Sequence, residues 1–140
     1  MVYLDTSVVV ALLTVEPKTT AVAEWFRSLD EPPTSSDWLL TEFASALSIK
    51  ARAGRLSDAQ AKRVRKEFDA LISGGLRLVP VGRSAFQRAA DLVSQHRYGL
   101  RSGDSLHLAF ALESGAGELA TLDATLARNA KRNGLSVTAF

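Results

Sequence analysis

The sequence contains no cysteine, which excludes disulfides, thiolate nucleophiles, iron–sulfur clusters and thiolate zinc sites together. Its two histidines, His96 and His107, are too few for a multi-histidine metal centre. Any bound metal must therefore be held mainly by carboxylate oxygens, the donors that suit magnesium and manganese. Long apolar runs are also lacking. The longest near the start, Val8 to Leu13, is far short of the roughly 20 residues that a bilayer span requires, and no basic segment precedes it. A cytoplasmic location is expected.

What is present fits an ordinary globular protein. Hydrophobic residues make up 46% and charged residues 23% of the 140, a balance that argues against both disorder and a coiled coil. A single domain spanning residues 1–140 is expected, with no repeat, linker or low-complexity tract. The formal charge is only +2. If four acids occupy a recessed site, however, eleven remain to face 17 bases, twelve of them arginine. An arginine-rich surplus of that kind suits a polyanionic partner as well as it suits a merely soluble surface.

Apolar periodicity and turn residues predict alternating strands and helices. Short strands are expected at 2–4, 34–35, 76–81, 118–122 and 135–138. Helices are expected at 6–15, 18–30, 36–53, 57–72, 84–96, 104–113 and 123–131, with a loop over 98–103. Right-handed crossovers between such elements build a mostly parallel sheet between layers of helices, a three-layer α/β fold.

Four acids stand out. Asp5 directly follows the first strand and precedes Thr6-Ser7 at a helix start. Asp123 repeats that placement after the strand 118–122. Asp104 lies behind Ser102-Gly103 at another helix start. Taken alone, Asp5 and Asp123 each read more readily as a helix N-cap than as a functional acid, and Asp104 fits equally a cap or a first-turn acid favoured by the helix dipole. Glu42 has no such account. Helical spacing sets it among Trp38, Leu39, Ala46 and Ile49, either in the middle of the stripe, where a carboxylate is desolvated and needs a cation or a donor, or at the stripe's edge. Ligands of open α/β sheets bind beyond the carboxyl ends of the strands, near the point where strand order reverses. Asp5 and Asp123 sit at such ends, and helices can bring Glu42 and Asp104 to the same edge. Four converging carboxylates repel one another unless divalent cations neutralise them.

The pieces Val2-Tyr3-Leu4-Asp5-Thr6-Ser7, Thr41-Glu42, Leu100-Arg101-Ser102-Gly103-Asp104-Ser105-Leu106-His107-Leu108-Ala109 and Thr121-Leu122-Asp123 together resemble the PIN-domain nucleases. The resemblance is strongest to the VapC-type toxins of bacterial toxin–antitoxin pairs, and its order and spacing cover nearly the whole chain. It implies Mg2+- or Mn2+-dependent cleavage of RNA, a small VapB-like antitoxin as partner and a homodimer. Asp5 and Asp104 are then the primary metal ligands, with Glu42 and Asp123 acting directly or through water. Thr6 and Thr121 are similar to the family's hydroxyl residues beside the acids. Gly103 and Ser105 stand where alanines are frequent, and the glycine is expected to loosen the local turn. By this resemblance one metal or a pair polarises the scissile phosphate and activates water for in-line attack, leaving a 3′-hydroxyl and a 5′-phosphate.

Other residues carry weaker signals. Arg101, three positions before Asp104, is placed to touch a phosphate or to pair with a site carboxylate. Trp25, Phe26, Trp38, Leu39, Leu40 and Phe43 crowd two consecutive helices. Core packing is one account of them, and a groove for the antitoxin is the other. His107 is expected to pack or to hydrogen-bond behind the site rather than to ligate. His96 is expected at a solvated helix end, and Lys62, Arg63, Arg65 and Lys66 on a solvated face, with RNA contact there as the lesser alternative. Two rival functions remain open: a phosphoacceptor or phosphatase domain, against which the lack of an Asp-x-Asp-x-Thr motif counts, and a non-catalytic RNA- or protein-binding module.

Overall fold

The computed structural model covers all 140 residues. The elements run β1 (Val2–Leu4), α1 (Thr6–Leu13), α2 (Thr19–Arg27), β2 (Thr34–Ser36), α3 (Trp38–Arg52), α4 (Asp58–Gly74), β3 (Arg77–Val79) and α5 (Arg83–Ser94). A 3₁₀ turn (His96–Tyr98), α6 (Ser102–Glu113), β4 (Glu118–Ala120), α7 (Ala124–Arg132) and β5 (Ser136–Val137) complete the chain. The strands form one sheet in the order β3-β2-β1-β4-β5, and every pairing is parallel. The expected α/β class with a parallel sheet and flanking helices is what the structure has.

Handedness explains the layers. The chain winds from β1 through β2 to β3 in one direction, then returns past β1 to β4 and β5 in the other. Keeping every crossover right-handed while the direction reverses forces the first four helices onto one face and the last three onto the opposite face. Period-two alternation then divides each central strand between two cores. Tyr3 and Leu119 join Ala85, Leu92, Leu106, Phe110 and Leu126 on the α5–α7 side. Leu4 and Ala120 join Val8, Val22, Leu39, Phe43, Val64 and Phe68 on the α1–α4 side. There Phe43 stacks on Phe68, ring centroids 4.1 Å apart.

Several boundaries differ from expectation, some inward and some outward. Helix α2 ends at Arg27, where the Ser28 N–H is shared between the Glu24 and Trp25 carbonyls and the last turn tightens. Helix α4 begins with a capping box in which Ser57 accepts from the Gln60 N–H and the Gln60 side chain accepts from the Ser57 N–H. Strand β4 ends at Ala120, two residues before the expected limit, and so frees Thr121 and Leu122 from the ladder. Helix α6 begins at Ser102 rather than at Asp104. The central strand β2 is Thr34-Ser35-Ser36, all buried. Two of its three polar side chains are bonded by β1: Ser35 Oγ donates to the Leu4 carbonyl and Ser36 Oγ accepts from the Tyr3 hydroxyl, while the buried Thr34 Oγ1 has no partner. No helix is long and apolar enough to cross a membrane.

Candidate active site

Strands β1 and β4 are neighbours in the sheet but lie on either side of the reversal in strand order, so their carboxyl ends open a crevice between diverging connections. Asp5 leaves β1 at that point and is 3% exposed. Its Oδ1 accepts from Ser7 Oγ at 2.6 Å and from the Val8 N–H at 3.2 Å, and its Oδ2 accepts from Thr121 Oγ1 at 2.5 Å. Thr121 in turn accepts from the Asp123 N–H at 3.0 Å. Asp123 caps α7, accepting from the Leu126 N–H at 2.7 Å. Both aspartates are therefore helix caps, and Thr121 ties the two together. Burial pushes the Asp5 carboxyl above the usual carboxylate range against the pull of His107, Ser7, Thr121 and Val8.

Glu42 stands one turn into α3, across the crevice. The buried face of α3 is Leu39, Phe43 and Leu47. Glu42 lies at the edge of that face rather than in its middle, and Ile49, assigned to the same stripe from spacing, is 55% exposed. The carboxylate nevertheless has donors. Thr6 Oγ1 donates to Glu42 Oε2, and His107 Nε2 meets the same oxygen at 2.7 Å. Burial raises the Glu42 pKa, but His107, Thr6 and the Trp38 indole together outweigh it and leave the group below its ordinary value. The Trp38 indole nitrogen is buried and lies near the carboxylate without completing a well-formed hydrogen bond.

His107 is 1% exposed and is the hub behind Glu42. Its Nδ1 is hydrogen-bonded to the Tyr3 hydroxyl at 2.9 Å, and its Nε2 also lies 3.0 Å from Thr6 Oγ1. The expectation of a hydrogen-bonding role behind the site holds. Tyr3, Ser7 and Ser36 were not singled out from the sequence. Tyr3 reads there as an apolar strand residue, and only the contact between residues 104 positions apart gives its hydroxyl a purpose.

Asp104 occupies the first turn of α6, half-buried. It neither caps the helix nor accepts a hydrogen bond or ion pair from any other group. Burial raises its pKa, and Asp123, Asp5 and Glu42 each raise it further, against a small opposing pull from His107. The four acids thus share one electrostatic environment. No three acidic or histidine side chains meet at metal-ligating distance.

Three expectations need correction. Leu39 and Phe43, placed in a possible partner groove, are 0% and 1% exposed and belong to the core, because they face α1 and α4 rather than solvent. Trp38 packs against the opposite core. Trp25 and Phe26 remain partly exposed, with Trp25 edge-on to Phe26 and Phe140. Gly103 does not loosen a turn: it lies inside α6, and a Cβ there would stand 2.5 Å from Glu42 Oε1. The glycine lets α3 and α6 bring Glu42 close. Arg101 is exposed at the start of α6 and pairs with no carboxylate.

A family profile for the PIN domain matches residues 2–132. The chain belongs to the PIN-domain family. No curated protein sequence matches it. Among solved structures, this PIN domain is similar to VapC20 of Mycobacterium tuberculosis, a sarcin–ricin-loop-cleaving toxin, at a TM-score of 0.74 and 16% identity over 92% of this chain and 95% of that one. It is similar to FitAcB of Neisseria gonorrhoeae at 0.73 and 20% identity, over 99% and 97% of the two chains. It also resembles VapBC2 of Rickettsia felis, bound to a promoter DNA fragment, at 0.67 and 18% identity, over 99% and 98%. At these identities the likeness is one of fold.

Proposed function

We propose that this PIN domain, one domain over residues 1–140, is a Mg2+- or Mn2+-dependent endoribonuclease. In this reading it is the cytoplasmic toxin of a type II toxin–antitoxin pair, works as a homodimer and is neutralised by a small cognate VapB-like antitoxin. One observation carries the reading: Asp104 stands half-buried at the crevice that Asp5, Glu42 and Asp123 share, where burial first and then those three carboxylates raise its pKa, and it has no cation or donor of its own to relieve it. The donors available are hard oxygens in excess negative charge, which fit a hard divalent cation and no softer metal.

Asp5 and Asp104 would hold the ion, with Glu42 and Asp123 assisting directly or through water. When bound, such an ion supplies Lewis acidity toward a phosphoryl oxygen and makes a water nucleophile available at neutral pH. The protein's own groups prepare the rest. Ser7, Val8 and Thr121 fix the Asp5 carboxylate, and Oδ1 is thereby saturated, leaving Oδ2 as the oxygen with an unused lone pair. Thr6 and His107 fix Glu42 through Oε2 and leave Oε1 toward α6. Arg101, unpaired at the start of α6, is placed to hold a substrate phosphate.

The test is RNA end-mapping after brief induction of the protein, with Asp5→Ala as control, together with cleavage by the purified protein. Cuts bearing 5′-phosphates that vanish in the control and in chelator are expected. Cleavage that persists in chelator or in Asp5→Ala would refute the assignment.

A further inference from the structure

Beyond the acids, positive charge gathers at one place. Arg97 lies in the 3₁₀ turn, Arg101 just before α6, and Arg128, Lys131 and Arg132 along one face of α7. All five are exposed, and none has a carboxylate within ion-pair distance. The Tyr98 ring organises two of them, with the Arg132 guanidinium carbon 3.7 Å and the Arg97 guanidinium carbon 4.7 Å from its centroid. The turn is fastened to α7. Buried Asn129 donates from Nδ2 to the Tyr98 carbonyl at 3.0 Å and to the Thr125 carbonyl at 2.9 Å. Arg128 donates to Thr125 Oγ1 at 3.0 Å. Gly99, at φ +69, is the left-handed residue that lets the chain leave Tyr98 close over Thr125.

Two guanidiniums gathered on one ring with no acid between them repel each other. Cation–π attraction offsets part of this, and a bound anion would offset the rest. Stacking occupies a guanidinium's face and leaves its in-plane N–H donors free, in the fork geometry that matches a phosphodiester. The position is equally informative. Asp123 caps the near end of α7 and Arg132 ends the far side, so at 1.5 Å per residue the helix sets them roughly 13 Å apart. A strand with one phosphate at the acids would pass its neighbouring phosphates over Arg101, Arg128 and the Arg97–Tyr98–Arg132 stack. The other basic surface, on α4, has no such organisation: its Arg63 is paired with Glu67 at 3.7 Å, and no ring holds its cations.

We propose that Arg97, Tyr98 and Arg132, flanked by Arg101 and Arg128, form a phosphodiester-binding platform that holds single-stranded RNA beside the scissile bond. The placement of that bond rests on the nuclease reading above. The test measures binding separately from cleavage, by fluorescence anisotropy of a short unstructured RNA on Asp104→Asn protein in chelator across a salt series. Replacing both Arg97 and Arg132 with Gln should weaken binding about tenfold at low salt. It should also flatten the dependence of log Kd on log salt by about 1.4, at roughly 0.7 per phosphate contact on a single strand. Tyr98→Leu keeps every charge, so it should weaken binding about threefold with little change in slope, since only pre-organisation is lost. Replacing Lys62 and Lys66 with Gln should change neither quantity.

The platform is overturned if the Arg97/Arg132 double variant binds like its parent, if the Lys62/Lys66 variant loses as much, or if the parent binds no RNA. Cleavage in magnesium separates the two readings. Wild-type protein that binds RNA through the platform but does not cut it would overturn the nuclease and leave the platform standing. A cutting wild type whose double variant binds and cuts unchanged would overturn the platform alone.

Discussion

Replacing Asp104 with Asn preserves shape and removes one negative charge from the crowded crevice. In wild type this carboxyl is raised by burial and by Asp123, Asp5 and Glu42. Each like-charge pair at a partly exposed position is worth about 0.2–1 kcal/mol, so relieving three gives roughly 1–2 kcal/mol. Against this, a first-turn acid interacts favourably with the helix dipole, and about 0.5 kcal/mol of that is lost. No hydrogen bond is lost, because the side chain accepts none from the protein. The variant should therefore be more stable than wild type in chelator by about 1 kcal/mol, a rise in Tm of about 3–4 °C for a chain of this size.

The pH dependence has a definite sign. A carboxyl whose folded pKa is raised destabilises the fold where it is ionised. That penalty is present above the folded pKa and fades as pH falls through it. The advantage of Asp104→Asn should accordingly be full near neutral pH and shrink through the carboxylate range. Thermal unfolding followed by circular dichroism, with and without magnesium, reads all of this. Magnesium should raise the wild-type Tm more than the variant's, since a site missing a ligand binds the ion less tightly. A variant less stable than wild type in chelator, or equal stabilisation of both proteins by magnesium, would refute the strained-cluster argument.

Three further variants test the site, the core and the proposed partner face. Thr121→Val removes the donor to buried Asp5 and the acceptor for the Asp123 N–H; it should lower stability in urea titration by about 2 kcal/mol and reduce RNA cleavage, and unchanged values of both would show that the threonine does not orient the acids. Phe43→Ala should lose about 3–5 kcal/mol of stability as a core residue, whereas Trp25→Glu, at a partly exposed position, should weaken antitoxin binding in calorimetry while cleavage remains measurable; normal antitoxin affinity in Trp25→Glu would remove that face from the partner site.

Asp5 and Asp123 were legible because each directly follows a short apolar run and opens a helix, a local signal that needs no tertiary knowledge. Helix α3 shows where legibility stops. Apolar residues lie all around it, so period 3.6 establishes a helix but leaves the phase of the buried face open. Counting from Trp38 and Glu42 selects a stripe rotated by one residue from the true face of Leu39, Phe43 and Leu47. Strand β2 is harder still, since Thr34-Ser35-Ser36 has no apolar pattern, and the partners that Leu4 and Tyr3 give to Ser35 and Ser36 come from a neighbouring strand about 30 residues away in sequence. Tyr3, His107 and Glu42 form their chain of bonds across separations of 104 and 65 residues. Nothing local encodes such pairs, and single-sequence patterning misses them for that reason.

The four acids are not equivalent, and the difference bears on how the proposed site closes. Asp5, Asp123 and Glu42 are each held by donors that are themselves fixed: helix N–H groups, Thr121, and the His107–Tyr3–Ser36 chain. These three lose little freedom when an ion arrives. Asp104 has no donor, carries the repulsion of the other three, and projects from the first turn of a helix. No three of the groups stand at ligating distance, so on the proposed reading a side chain must turn inward, and the least restrained is Asp104. Fixing its rotamer is unfavourable by roughly 1 kcal/mol or less. The attraction of a divalent cation for a crowded carboxylate in a half-buried crevice exceeds that several-fold. An arrangement of three fixed carboxylates and one adjustable one keeps the apo repulsion concentrated on the group best able to swing toward solvent, and makes Asp104 the residue whose mobility should fall most when the ion binds.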